Sequence, residues 1–317
     1  MTTHPPSAGI VLHTGGPPAD PASIGGDLRI STANWWLSGV LLLVTDVAAG
    51  LTAFGDMLSG PAVMMGSARG TALVLLLVTT PVMATAMFVT ARGSARGLVV
   101  WLGAVAVTAY NTQMLLYATP FNSLFLLYVA MLGLSVWALG CLLRDRTMER
   151  FAARVDDRMP VRSIAVYLWV VAGMNALIWL RAIVPAVLSA DPASALAGTG
   201  LTTNPVYVQD LALWLPLAVA AGVWLWRRRP AGFLITGALL AMWVMESISI
   251  AVDQWFGHQA NPTSPVAAPS MVPVFAMLAV VGLLPLILHL RHLSHAPTPR
   301  SSGEVQHRPA AGGADPA

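Results

Sequence analysis

Eight long apolar stretches constrain this chain more than any other feature of its sequence. Each has about 20 residues, the length that an α-helix needs to cross the hydrocarbon core of a bilayer. We predict spans at 34–54, 71–91, 97–117, 122–143, 163–186, 207–226, 232–253 and 271–290. Only 10% of the residues are charged and 56% are hydrophobic, whereas about 25% are charged in soluble domains. The sequence therefore predicts an all-α fold, a polytopic transmembrane helical bundle.

The arginines predict how this bundle is oriented, because short loops with positive charge stay on the cytoplasmic side of a membrane. Arg92 and Arg96 follow the second predicted span, six arginines lie within 144–162, and three more lie at 227–229. The loops on the opposite side contain only Arg69. We therefore expect both termini to be cytoplasmic, in a multi-pass protein of the bacterial cytoplasmic (inner or plasma) membrane.

The chain ends differ in composition from the apolar region between them. Residues 1–33 are rich in Pro, Gly and Ala and lack the basic start and apolar run of a signal peptide. Residues 295–317 are similarly polar and rich in small residues. We predict disordered tails at 1–33 and 295–317, flanking a transmembrane domain at 34–294.

The segment 144–162, RDRTMERFAARVDDRMPVR, connects the fourth and fifth predicted spans. At 100° per residue, Met148, Phe151 and Val155 gather on one side of a helix, while Arg146 and Arg150 gather on another. This pattern predicts an amphipathic helix on the cytoplasmic membrane surface, with its arginines near anionic lipid headgroups. A solvated continuation of the fourth span is the alternative interpretation.

Several chemistries are excluded or disfavoured by residue types. All 17 basic residues are Arg, so a retinal or pyridoxal Schiff base and a Walker-type phosphate lysine are excluded. The single cysteine, Cys141, cannot form an intrachain disulfide by itself. His289, His292 and His295 share a helix face, but no predicted span core contains a histidine pair for haem. We expect no metal, no cofactor and no nucleic-acid partner.

Glu246 is the sharpest anomaly, because it lies inside the apolar stretch GALLAMWVMESISIAVDQWFG at 237–257. A charged residue at mid-bilayer costs roughly 3 kcal/mol or more. On the predicted topology, other polar residues share its outer half of the membrane, and Asn175 lies near the midplane below them. The candidate ligand-binding residues are Glu246, Arg181, Asp210, Asp253, Asn111, Gln113, Tyr117, Asn122 and Asn175.

Depth and periodicity suggest that these residues surround an outward-facing pocket. At 1.5 Å per residue, Glu246 lies roughly 10 Å below the outer end of its predicted span, and Arg181 and Asp210 roughly 6 to 8 Å below theirs. We expect Arg181 to pair with Glu246 or Asp210, either as a ligand contact or as a structural bridge between helices. One arginine cannot neutralise every acid, so at least one acid remains for a proton, a cation or a ligand. Asp46, on a stripe with Gly39 and Gly50, is predicted to lie at a helix contact.

Two stretches carry a resemblance to other proteins. They are YNTQMLLYATPFNSLFLLYVAMLGLS at 110–135 and TNPVYVQDLALWLPLAVAAGVWLWRRRPAGF at 203–233. Both resemble patterns in uncharacterised bacterial multi-pass integral membrane proteins with no assigned activity. The resemblance directs attention to Asn122, Asn204 and Asp210, and it implies no reaction.

Three classes of function remain open from the sequence. The first is small-molecule transport or ligand binding through an outward-facing intramembrane polar pocket, with an unknown small molecule or ion as the ligand. The second is a membrane-embedded enzyme that acts on a lipid-linked substrate at the outer leaflet, although no catalytic residue can be assigned. The third is a structural or assembly subunit of a membrane complex.

Overall fold

The computed structural model describes residues 30–294, apart from the side chains of residues 145 and 146. The predicted C-terminal tail, 295–317, lies outside the described residues, and so does the predicted N-terminal tail except for residues 30–33. Within this range the chain is helical apart from loops and one isolated β-bridge.

Eight helices are long and apolar enough to cross a membrane, as the sequence predicts. We number them in chain order: α1 (Thr32–Phe54), α2 (Ala62–Ala91), α3 (Ala95–Tyr117), α4 (Phe125–Leu142), α5 (Val161–Val187), α6 (Pro205–Trp226), α7 (Pro230–Ala260) and α8 (Met271–Arg291). Polar side chains mark several helix starts, because the first N–H groups of a helix have no partner within it. Ser31 accepts from Asn34 N at 3.4 Å, and Ser94 accepts from Gly97 N at 3.3 Å.

The helices α3 and α7 form the centre of the bundle. In their most apolar windows 83% and 72% of the residues are buried, whereas in the other six helices the share is between 22% and 44%. The helix α7 packs against α2, α3, α6 and α8, and α1 packs against α2 and α4. The helix α5 packs mainly against α6, so it lies at the periphery.

Two helices extend at least seven residues beyond a predicted end. The helix α2 begins at Ala62 rather than at residue 71. Arg69 lies within it, and its partly exposed side chain pairs with Asp56 at 3.5 Å. The helix α7 continues to Ala260 rather than ending at residue 253. Glu246 therefore lies about 21 Å, not about 10 Å, from the end of its helix.

The connection between α4 and α5 differs from the single helix predicted over 144–162. Only Asp145–Ala152 is helical. The following residues turn back against the end of α8, where Val155 forms a β-bridge with Leu293. Phe151 is fully buried in the bundle, and Arg154 Nη1 donates to Gly93 O at 2.7 Å. The single helix predicted over 144–162 is thus wrong in extent, because contacts with α7, with Gly93 before α3 and with Leu293 after α8 bend the segment onto the protein.

The helix pair α2–α3 has a local counterpart in α6–α7. One π-helical turn lies within α2 (Leu75–Thr79) and one within α6 (Asp210–Trp214). In each case an N–H donates to a carbonyl five residues back, Thr80 to Leu75 and Leu215 to Asp210. Pro81 and Pro216 follow these turns at the same distance. A proline ring crowds the preceding helical turn, and a π turn is one way in which a helix accommodates it.

The tight turns that end these helices also correspond. Gly93 and Arg228 both have positive φ, at 87° and 51°. Gly93 N donates to Thr90 O, and Arg228 N donates in the same way to Leu225 O.

Each of these features of α2–α3 lies 135 residues before its counterpart in α6–α7. Asn111 and Glu246 have the same separation in sequence. Those two residues are in direct contact. Gly103 likewise lies against the backbone of Ala238. Equivalent positions of the two helix pairs therefore face each other along the contact of α3 with α7, as they do across a local twofold axis.

Candidate functional site

Glu246 lies buried where α7 meets α3. Its side chain is 7% exposed, and its Oε2 accepts a hydrogen bond of 2.7 Å from Asn111 Nδ2. Asn111 is also buried, and its Oδ1 accepts from Ser249 Oγ at 3.3 Å. Asn111 Nδ2 also donates to Val107 O at 3.2 Å. The amide is therefore held by its own helix and by α7, and it presents a donor to the carboxyl group.

Asp210 lies at the start of the π turn in α6 and is 5% exposed. Its Oδ2 accepts a hydrogen bond of 2.8 Å from Trp179 Nε1 on α5. The side chains of Asn175 on α5 and Tyr110 on α3 lie near its carboxyl group. Asp210 on α6 thus lies where three helices meet.

Asp253 lies on α7, two helical turns beyond Glu246, and is half-buried. Its Oδ1 accepts from Gln254 Nε2 at 3.0 Å, and its main-chain carbonyl accepts from Ser67 Oγ at 3.2 Å. Its neighbours on α2 are close, because a Cβ added at Gly70 would lie 2.9 Å from Asp253 Cα. Asp253 therefore lies at the contact of α7 with α2.

We call the three acids Asp210, Glu246 and Asp253 the acidic belt. Tyr110 on α3 is buried near them. Its ring lies 6.1 Å from that of Trp214 on α6. The belt thus runs from α6 past α3 to α7.

No basic side chain neutralises the acidic belt within the described part of the chain. Arg69 forms an ion pair with Asp56 at the loop between α1 and α2, away from the three acids. Arg181 is exposed and forms neither a hydrogen bond nor an ion pair among these residues. The expected pairing of Arg181 with Glu246 or Asp210 is therefore absent. At 100° per residue, Arg181 lies about 200° around α5 from Trp179, which contacts Asp210.

Two cavities lie beside the acidic belt. An open groove of about 510 Å³ runs between the ends of α5 and α6 and is lined by Ile183, Thr203, Asn204, Tyr207, Val208, Leu211 and Ala212. The Tyr207 ring lies 5.0 Å from the ring of Trp179, the partner of Asp210. A smaller cavity of about 40 Å³ between α2 and α3 includes Asp253 in its lining. Neither of these two cavities is lined by Arg181, Asp210 or Glu246, the three residues expected to share one.

The remaining predicted site residues have local partners or are exposed. Gln113 donates to Ala109 O on its own helix, and Tyr117 is 61% exposed. Asn122 stabilises the turn before α4, where its Oδ1 accepts from Leu124 N at 2.9 Å. Asn204 has a similar local role, because its Oδ1 accepts from Val206 N at the start of α6. Asp46, predicted at a helix contact, is exposed instead.

Sequence reasoning left Tyr110 out of the candidate residues, and it also missed Trp179 and Ser249. Trp179 follows Asn175 by four residues, and Ser249 follows Glu246 by three, so helical periodicity places each on the face of a predicted residue. Periodicity around the chosen polar residues could have found both. Trp179 escaped notice because a tryptophan inside a span resembles an apolar core residue, although its indole N–H is a donor.

The arrangement can hold positive charge. A carboxyl group buried without a cationic partner is stable as a neutral acid or with a bound cation, since an isolated buried charge is strongly unfavourable. Hydroxyl, amide and indole groups surround the belt and can orient an ion or an exchangeable proton. No group of three or more His, Cys, Asp or Glu side chains suited to a metal was found in residues 30–294.

Comparisons of the chain with protein-family models, curated proteins and solved structures gave no match. Its eight apolar helices are consistent with a multi-pass integral membrane protein.

Proposed function

We propose that the protein acts in small-molecule transport or ligand binding, with the acidic belt as the site of a proton or a small inorganic cation. The belt lies in the half of the bundle away from the arginine-rich loops. From the distribution of arginines we further propose that this half faces outward from the cytoplasmic membrane.

The observation that carries the proposal is the absence of a basic partner for the acidic belt in the described residues. A structural ion pair would offset the burial of each charge and leave nothing to exchange. Here the partners of Asp210 and Glu246 are the neutral side chains of Trp179 and Asn111. Binding and release of a positive charge is the chemistry that such a pair of carboxyl groups supports.

The open groove between α5 and α6 suggests a route for a ligand. Its volume of about 510 Å³ is within the range of sites for small organic molecules, about 300 to 1,000 Å³. Tyr207 lines it, and the ring contact of Tyr207 with Trp179 connects it to Asp210. A ligand in the groove could therefore change the protonation or cation occupancy of Asp210 through Trp179.

Thermal unfolding of the purified protein in detergent tests the cation site. We expect Na⁺, K⁺ or Ca²⁺ to raise the melting temperature relative to choline at equal ionic strength, because a cation that binds only the folded state stabilises it. Reconstitution of the protein into vesicles loaded with a pH-sensitive dye tests proton movement. A gradient of the same cation is imposed across the vesicle membrane, and the change in internal pH is measured. Glu246→Gln and Asp210→Asn should abolish the cation-dependent shift and any cation-driven proton flux.

Asp191→Asn is the matched control, because Asp191 is exposed in the loop between α5 and α6. This variant should behave as the wild type in both measurements. The proposal is wrong if the wild type responds to neither the cations nor the gradient. It is equally wrong if folded Glu246→Gln and Asp210→Asn proteins both keep the wild-type responses.

A further inference from the structure

Two charged residues lie on the exposed lateral surface of the bundle, and neither belongs to the acidic belt. Asp46 on α1 and Arg181 on α5 are both exposed. Neither has a hydrogen bond or an ion pair in residues 30–294. An ionised residue facing lipid is strongly unfavourable, so such residues normally face protein or water.

The surroundings of both residues are apolar. Leu43 and Val47, beside Asp46, are 65% and 44% exposed, and Leu177 and Val184, beside Arg181, are 64% and 47% exposed. Each charge therefore lies within a stripe of side chains that would contact lipid or another protein. On α1 the stripe also has little bulk, because a Cβ added at Gly39 or Gly50 would meet nothing within 4 Å.

The two charges lie at matching depths. Asp46 is eight residues before the end of α1, and Arg181 is six residues before the end of α5. At 1.5 Å per residue these positions are about 12 Å and about 9 Å from the helix ends. The long Arg side chain spans the difference.

The two residues do not meet within one molecule. The helix α1 packs against α2 and α4, whereas α5 packs mainly against α6. The central helices α3 and α7 lie between these two groups. Asp46 and Arg181 are therefore on different sides of one bundle, but both are open to a neighbour.

We propose that copies of this chain associate in the membrane through a contact that pairs Asp46 of one copy with Arg181 of the next. Opposite charge at the same depth selects a second copy as the partner, and the open surface at Gly39 and Gly50 allows a helix to approach closely. The contact joins two different surfaces, so it is heterologous and builds a closed ring or an open row. This inference is independent of the acidic belt.

Förster transfer between donor-labelled and acceptor-labelled copies in phosphatidylcholine vesicles tests the contact. We expect transfer for the wild type and its loss for Asp46→Arg alone and for Arg181→Asp alone. Mixing Asp46→Arg copies with Arg181→Asp copies should restore transfer, because Arg introduced at 46 then meets Asp introduced at 181, and the native Asp46 meets the native Arg181. Asp191→Asn should leave transfer unchanged.

Circular dichroism establishes that each variant is folded. If a charge reversal prevents folding, the neutral variants Asp46→Asn and Arg181→Gln replace it, and each should reduce transfer severalfold. Absence of transfer in the wild type overturns the proposal. Folded single variants that retain wild-type transfer, or a mixture of reversals that fails to regain it, overturn it as well.

Discussion

At the scale of single residues, the neutral partners of the buried acids decide how the acids are held. Asp210 is oriented by the indole of Trp179 at 2.8 Å, and Glu246 by the amide of Asn111 at 2.7 Å. A neutral donor stabilises a carboxyl group in either protonation state without fixing its charge, unlike an arginine. Each acid can thus be held in position and still bind and release a proton or a cation.

The Trp179–Asp210 hydrogen bond predicts a measurable contribution to stability. Trp179→Phe keeps an aromatic ring near Tyr207 but removes the N–H donor to Asp210, so we expect a loss of about 1 to 3 kcal/mol in the free energy of unfolding. Denaturant titration in detergent measures it. Trp137→Phe is the control, since Trp137 on α4 is 69% exposed and should have little effect. Equal stability of both variants would mean that Asn175 and Tyr110 suffice to hold Asp210.

At the scale of helices, close approach of α3 to α7 is what brings Asn111 to Glu246. The approach depends on Gly103, where an added Cβ would lie 2.6 Å from Ala241 Cβ and 2.8 Å from Ala238 O. Small residues at such a crossing allow two backbones to pack in van der Waals contact. The contact of Asn111 with Glu246 therefore depends on Gly103, which is not itself part of the site.

A single methyl group at this crossing should destabilise the bundle. Gly103→Ala forces α3 and α7 apart, and overpacking of this kind costs about 1 to 3 kcal/mol. Gly140→Ala on α4 is the matched control, because nothing lies within 4 Å of a Cβ there. In that variant the better helix propensity of alanine should leave stability unchanged or slightly increased. Melting temperatures of the two proteins side by side give the comparison, and identical values would contradict the close packing.

At the scale of the whole molecule, α2–α3 and α6–α7 repeat one local design, and the contact between Asn111 and Glu246 joins equivalent positions of the two copies. The copies differ in chemistry. The π turn of α6 begins with Asp210, whereas that of α2 begins with Leu75. The acidic belt therefore belongs to the second copy, with the first copy supplying neutral partners such as Asn111 and Tyr110.

The local twofold relation predicts that the two side chains can be exchanged. Glu246→Asn alone loses the carboxyl acceptor, and Asn111→Glu alone places two acids in contact, so both should lower stability. The double variant Asn111→Glu/Glu246→Asn restores one acid and one amide across the same contact. A double-mutant cycle should give a favourable coupling of about 0.5 to 3 kcal/mol. Additive losses would show that the two positions are not equivalent.

The class of fold and the number of spans could be predicted from the amino-acid sequence alone. Span length and hydropathy are properties of each segment alone, because every helix must satisfy its backbone hydrogen bonds internally in lipid. For the same reason Glu246, Asp210, Asn111 and Asn175 could be recognised as polar residues within spans. Helix ends were less predictable, since α7 continues for seven residues beyond Asp253 into a polar stretch.

Which polar residues meet depends on how the helices pack against each other. The direction of a side chain depends on how its helix is rotated and which neighbours cover it, and neither can be obtained from one helix alone. Arg181 and Asn175 are predicted for one pocket from the same span, yet Asn175 lies near Asp210 while Arg181 is exposed on another side of α5. The expected pair of Arg181 with Glu246 or Asp210 does not form. The buried acids have neutral partners instead, and Asp46 and Arg181 are unpaired on the surface of the bundle. Residue type and depth are local, whereas pairing follows from helix packing.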